Sequence, residues 1–186
     1  MMSRRLAFTA ALLLSAAGLA ACQSSEKAAT AVQSTAQAQM TPSLSTTDAN
    51  FINTVGAGGH AEVQFGQIAQ TQATRTDVRA FAAQMVTDHT AAGNELAALA
   101  QSKQMTPPSD MDLNHKAAYD RLSKISGTEF DRVYIQGQVE DHTAVVNAFQ
   151  NEITSGTDAD VKAFARKYLP TVQHHLEMAR ILQGQF

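Results

Sequence analysis

Residues 78–96 read VRAFAAQMVTDHTAAGNEL, and this stretch decides the fold. Its apolar residues, among them Val78, Phe81 and Met85, recur at three- and four-residue steps, which predicts an amphipathic helix. His89 stands at the centre of the apolar face. Burying an imidazole among hydrocarbon costs several kcal/mol unless it is hydrogen-bonded or bound to metal. The stretch therefore predicts a core helix and a polar site inside the core.

The same periodicity continues after Asp48, and strand-like alternation is absent, which predicts an all-α domain. Two short turns flank one long connection, residues 103–126, which holds a short helix at 117–122. This spacing predicts a ferritin-like four-helix bundle with one long crossover between its second and third helices, which then run parallel. The predicted helix starts are about Asp48, an N-cap at Thr74, a capping box at Ser126–Glu129 and an N-cap at Thr157.

The N-terminus has the pattern of an export signal. Arg4 and Arg5 precede an apolar run at 6–21 that is too short to span a bilayer, and Cys22 follows. The sequence Leu-Ala-Ala-Cys resembles a bacterial lipobox, which predicts a signal peptide at 1–21 and lipidation of Cys22. The alternative is cleavage at an Ala-x-Ala site, leaving Cys22 as a free thiol. Gln23, where inner-membrane lipoproteins typically carry Asp, favours the outer membrane, facing the periplasm.

Residues 22–47 are rich in Ala, Ser, Thr and Gln, which predicts a flexible tether between the lipid and a single domain at 48–186. The formal net charge of −3 becomes −5 once the two arginines of the signal are removed. No basic cluster indicates nucleic-acid binding. The expected partners are the membrane, through the lipid anchor, and another envelope protein.

One ionisable residue lies on the apolar face of each predicted long helix: Glu62, His89, His142 and His175. At a rise of about 1.5 Å per residue, His89 and His142 lie at one depth if their helices are parallel and start level. Four such side chains could converge on one or two transition metals. Imidazole and carboxylate ligands suit iron, manganese or zinc. Copper is less favoured, because the only soft sulfur ligand near the histidines would be Met85, and a methionine on an apolar face usually fills the core.

A short internal echo supports the histidine pairing. Residues 86–91, VTDHTA, match residues 139–144, VEDHTA. Asp88 and Asp141 are therefore expected beside the histidines, where they could orient an imidazole. Asp131 also lies on an apolar face, but about 16 Å along its helix from His142, so the two cannot share one ion and Asp131 is a poorer candidate.

Two other hypotheses stay open at this stage. In the first, the histidines and carboxylates hydrogen-bond one another without metal, and the domain is a structural or interaction module of the envelope. The second, a redox enzyme, is less favoured, because it needs an open coordination position and a substrate path, and no nucleophile motif or phosphate loop is present. We therefore expect a non-enzymatic role and name no catalytic residue.

Several stretches resemble, in order, a bacterial family catalogued as domain of unknown function 4142, whose members are often labelled outer-membrane proteins. They are residues 59–63, 78–89, 126–134, 141–142 and 169–176. The resemblance spans about residues 50–181 and implies a ferritin-like bundle exported to the envelope. It implies no activity. Ferritin-like di-iron proteins use Glu-x-x-His motifs, which this chain lacks: His174-x-x-Glu177 is reversed, which counts against a di-iron oxidase.

Overall fold

The structure, a computed structural model, describes residues 44–186, and within this range the secondary structure is entirely helical. The helices are α1 (Thr46–Gln72), α2 (Thr76–Ser102), α3 (Leu113–Leu122), α4 (Gly127–Ser155) and α5 (Ala159–Gln183). The predicted signal peptide, Cys22 and most of the tether lie outside the described residues. None of these five helices is long and apolar enough to cross a membrane.

Helix α1 begins two residues before the position expected from the sequence. Ser45 is its N-cap, and a capping box joins the Ser45 and Asp48 side chains to each other's backbone amides. Leu44, just before the cap, is buried in the core. Residues 44–47, assigned to the tether from composition, therefore lie with the folded domain.

The four long helices form a bundle in which α1 packs on α2 and α4, and α5 packs on α4 and α2. Asp131, near the start of α4, accepts hydrogen bonds from Thr74 and Arg75, at the start of α2. Helices α2 and α4 thus start at the same end and run parallel. The connection after α2 returns the chain to that end, which confirms the predicted ferritin-like topology.

Two buried aspartates close the turns of the two helical hairpins, α1–α2 and α4–α5. Asp131 of α4 accepts from the backbone amides of Thr74 and Arg75 at 2.9 Å each. Asp48 of α1 accepts in the same way from Thr157 at 2.9 Å and from Asp158 at 3.2 Å. The backbone amides of each turn are therefore bound by a carboxylate from the other hairpin. The two aspartates are 83 residues apart in the sequence.

These contacts correct three predicted caps. The N-caps of α2 and α5 are Arg75 and Asp158, each one residue after the predicted threonine. The hydroxyls of Thr74 and Thr157 instead donate to the buried aspartates. The capping box predicted at Ser126 does not form, since its side chain makes no cap hydrogen bond. Local patterns located the turns correctly, but Asp131 and Asp48, each from the other hairpin, accept from the turn amides just before α2 and α5. Helix α5 is capped by the side chain of Asp158 itself.

The long connection lies across α1. Pro108 contacts the helix at Gly56 and accepts a hydrogen bond from His60 at 3.1 Å through its carbonyl oxygen. Helix α3 then packs against α1 and α4. Helix α5 continues through Pro170 as a single helix. The connection thus covers the seam between α1 and α4, next to the middle of the bundle.

The core consists of two apolar clusters with a polar layer between them. One cluster includes Phe81, Met85 and Phe130, and the other includes Phe51 and Phe149. Helices α1 and α2 approach closely at Gly66, where an added Cβ would lie 2.7 Å from Val86 Cγ2. A side chain at this position would displace atoms of α2, so Gly66 lets the two helices pack closely. The polar layer holds the candidate site.

Candidate metal centre

Three histidines from three helices meet in the polar layer. The ring centroids of His89, His142 and His175 are 5.3–5.5 Å apart in every pairing. One ring nitrogen of each lies within 4.8 Å of those of the other two, a group that could hold a metal ion. The arrangement follows from the topology: α2 and α4 start at the same end, so residues about four turns into each helix reach one depth.

Hydrogen bonds on the far side of two rings fix which nitrogen is free. His175 Nε2 donates to Asp88 Oδ2 at 2.8 Å, and His142 Nδ1 donates to the Gln138 carbonyl oxygen at 3.0 Å. The nitrogens left without a hydrogen-bond partner are His89 Nε2, His142 Nε2 and His175 Nδ1, one in each ring. A carboxylate or carbonyl behind each imidazole is the usual way of orienting a metal-binding histidine.

The three rings are neutral at neutral pH. Burial lowers the pKa of His142 and of His175 to about 4, although the hydrogen bonds to Gln138 and Asp88 act in the opposite direction. Burial and the two neighbouring imidazoles also lower the pKa of His89. Since a histidine binds metal through a deprotonated nitrogen, these lone pairs are available without the loss of a proton.

Glu62, the fourth residue predicted for the site, lies beside the histidine group and is not part of it. Its Oε2 accepts from Gln138 Nε2 at 2.6 Å, and its Oε1 is 3.6 Å from His142 Nδ1. Burial raises the pKa of Glu62 to about 7, more than the hydrogen bond from Gln138 lowers it. Glu62 thus packs behind His142, on the side away from its free nitrogen.

The two aspartates of the VTDH and VEDH echo have different surroundings. Asp88 orients His175 directly. Asp141 lines a cavity beside the histidines, where burial and the charge of Glu62 raise its pKa to about 6. The similar sequences therefore do not give equivalent contacts. Asp131 lies at the end of the bundle, where the α1–α2 turn occupies its oxygens.

Two residues near the site were missed from sequence. Gln138 is buried one turn before His142 and connects it to Glu62; its position on the same helical face was the available signal. His115 of α3 lines the cavity and pairs with Asp112 at 2.7 Å. Burial lowers the pKa of His115, but the hydrogen bond and charge of Asp112, together with the charges of Asp141 and Glu62, raise it by more. No periodic signal marks His115, because α3 is short and polar.

Comparisons with known proteins give a family and a fold. The family model described as domain of unknown function (DUF4142) matches residues 33–182. The crystal structure of a DUF305 fragment from Deinococcus radiodurans is similar at a TM-score of 0.66 and 13% identity, covering 77% of this chain and 99% of that one. At this identity the likeness concerns the fold alone. The search of curated proteins found no match.

Proposed function

The chain belongs to the DUF4142 family, whose description names no activity, and we propose from its own site that it binds one transition-metal ion through His89, His142 and His175. The observation that carries the proposal is the set of three buried imidazole nitrogens without hydrogen-bond partners. A buried polar atom left unsatisfied costs about 1–3 kcal/mol. One metal ion bound by all three nitrogens would satisfy them together.

The donor set favours some metals over others. Imidazole suits zinc, iron and copper, whereas manganese prefers oxygen ligands. The two carboxylates beside the rings, Asp88 and Glu62, both lie outside the histidine group. Zinc and iron therefore fit best among the predicted metals, and copper is acceptable to the histidines alone. Three protein ligands also leave one position of a tetrahedral ion open.

The wider role we propose is metal handling or stress defence at the cell envelope, with the domain held to the outer membrane through a lipid on Cys22. The support is the lipobox pattern at the end of the apolar run. Mass spectrometry of the mature protein tests this part separately: the wild-type N-terminal peptide should carry acyl chains. A free Cys22 thiol in that peptide would refute the lipoprotein proposal without touching the metal site.

The metal proposal is tested by equilibrating the purified protein with zinc, iron, manganese or copper singly and measuring bound metal by elemental analysis. We expect about one ion per chain, lost in the H89A/H142A double variant. H174A is the matched control, because His174 is an exposed histidine next to His175 on the same helix. Wild-type protein that binds none of the four metals, or equal loss in the control, would refute the proposal.

A further inference from the structure

A cavity of about 160 Å³ lies against the histidine group. All four long helices contribute to its wall, and His89 and His175 form part of it. The remaining wall is largely apolar, from the side chains of Val55, Leu96, Val145, Phe149, Tyr168 and Val172. A cavity of about 150 Å³ with apolar walls holds a benzene molecule. The space beside the histidines thus has the size of a small organic ring.

The cavity wall contains three glycines at positions where a larger side chain would fit: Gly58, Gly59 and Gly93. An added Cβ at any of them would meet nothing within 4 Å. All three lie inside helices, where glycine costs about 0.5–1 kcal/mol relative to alanine. Gly66 is different, since neighbouring atoms of α2 occupy the place of its Cβ. The three wall glycines leave space open and do not bring helices together.

A buried polar atom and a surface opening both indicate a ligand in this space. His175 lines the cavity, is 1% exposed, and its Nδ1 has no hydrogen-bond partner. Thr54 of α1 and Ala144 of α4 also line the cavity and are solvent-exposed. Part of the cavity wall is therefore at the surface, where a small molecule could enter and reach the histidines.

We propose that the cavity admits a small neutral molecule with one nitrogen or oxygen donor atom, which takes the coordination position that the three histidines leave open on the metal. This inference rests on the proposed metal site. The size limit follows from the cavity volume. The preference for a neutral ligand follows from the apolar wall, which penalises charge. It also follows from the carboxyl groups of Glu62, Asp88 and Asp141 in the same wall, which outnumber the one further imidazole, His115, and oppose the attraction of the metal ion for an anion.

The test uses cobalt-loaded protein, whose visible absorption reports the coordination of the ion. Imidazole at pH 8 is the neutral probe, azide the anionic probe, and benzimidazole the oversized one. We expect saturable binding of imidazole, with azide and benzimidazole at least about tenfold weaker, a difference of about 1.4 kcal/mol. The variant G59L fills the cavity and should weaken imidazole binding by about tenfold while cobalt stoichiometry is unchanged. G137L is the matched control, since Gly137 is another unpacked helical glycine, away from this cavity.

The outcomes separate the two proposals. Bound cobalt whose spectrum does not respond to imidazole, or G59L protein that binds imidazole as wild type does, would overturn the cavity proposal and leave the metal site standing. Tighter binding of azide than of imidazole would overturn the preference for a neutral ligand. Protein that binds neither cobalt nor any of zinc, iron, manganese and copper would overturn the proposed metal function and this inference with it.

Discussion

Replacing Asp88 tests most directly whether its hydrogen bond to His175 orients that histidine for metal binding. Its Oδ2 accepts the Nε2 hydrogen of His175 at 2.8 Å, while the His175 side chain is 1% exposed. Alanine at this position leaves a buried imidazole N–H without its acceptor and removes the group that keeps Nδ1 free for the metal. Loss of such an orienting partner lowers metal affinity by about 10–100-fold, or about 1.4–2.7 kcal/mol. Because the Asp88 side chain is 31% exposed, water can replace part of the contact, and we expect about 10–30-fold.

The assay is a competition titration of zinc between the protein and a chelator of known affinity. D88N should lose about threefold, since the amide oxygen still accepts the hydrogen bond but carries no charge. D141N is the matched control: Asp141 occupies the equivalent place in the sequence echo, but no hydrogen bond joins it to a histidine in the described structure. An unchanged affinity in D88A, or an equal loss in D141N, would refute the reasoning.

Four further predictions concern pH and stability. Zinc uptake should persist to about pH 5 and fall near pH 4, because the lowered pKa of His142 is about 4; loss centred at pH 6.5 in the titration would contradict this. For metal-free protein, His142 should lower the free energy of unfolding by about 1.4 kcal/mol per pH unit from pH 6.5 to 4, since only the unfolded chain then takes up its proton. Because the raised pKa values of Glu62 and Asp141 act in the opposite direction, this effect is measured as the difference between wild type and H142A in urea melts, and a difference that does not change with pH would contradict it. In urea melts, G66L should cost about 1–3 kcal/mol through overpacking against α2, whereas G59A should not destabilise; equal effects would contradict the contrast. D131A should lower the free energy of unfolding in urea melts by about 3 kcal/mol, through the loss of three hydrogen bonds at the α1–α2 turn. D131N should lower it by about 1 kcal/mol. A decrease under about 0.5 kcal/mol in D131A would refute the stabilising role of Asp131 at this turn.

The helices and the meeting of the histidines could be predicted from sequence for one reason. Apolar periodicity fixes which face of a helix is buried, and the lengths of the connections fix where each helix starts. Together these give the depth of His89 and His142, and the structure places their ring centroids 5.5 Å apart.

What could not be predicted depends on contacts between helices. Thr74 has the pattern of a local N-cap, but the nearest carboxylate in space comes from Asp131, 57 residues away. Likewise Glu62 lies on the correct face and still packs behind His142, because Gln138 stands between the helices. The apolar pattern of one helix predicts which of its faces is buried, but it does not predict which residues of the other helices pack against that face.

Asp48 and Asp131 each bind the turn of the other hairpin, and these reciprocal contacts couple the folding of the two hairpins. The amides of each turn find their acceptor only when the other hairpin is docked, and the histidines are divided between the hairpins, with His89 on one and His142 and His175 on the other. Neither half can complete its own turn or its own ligand set. The domain should therefore behave as a complementing pair of fragments joined by the crossover, and a bound ion would report assembly of the whole.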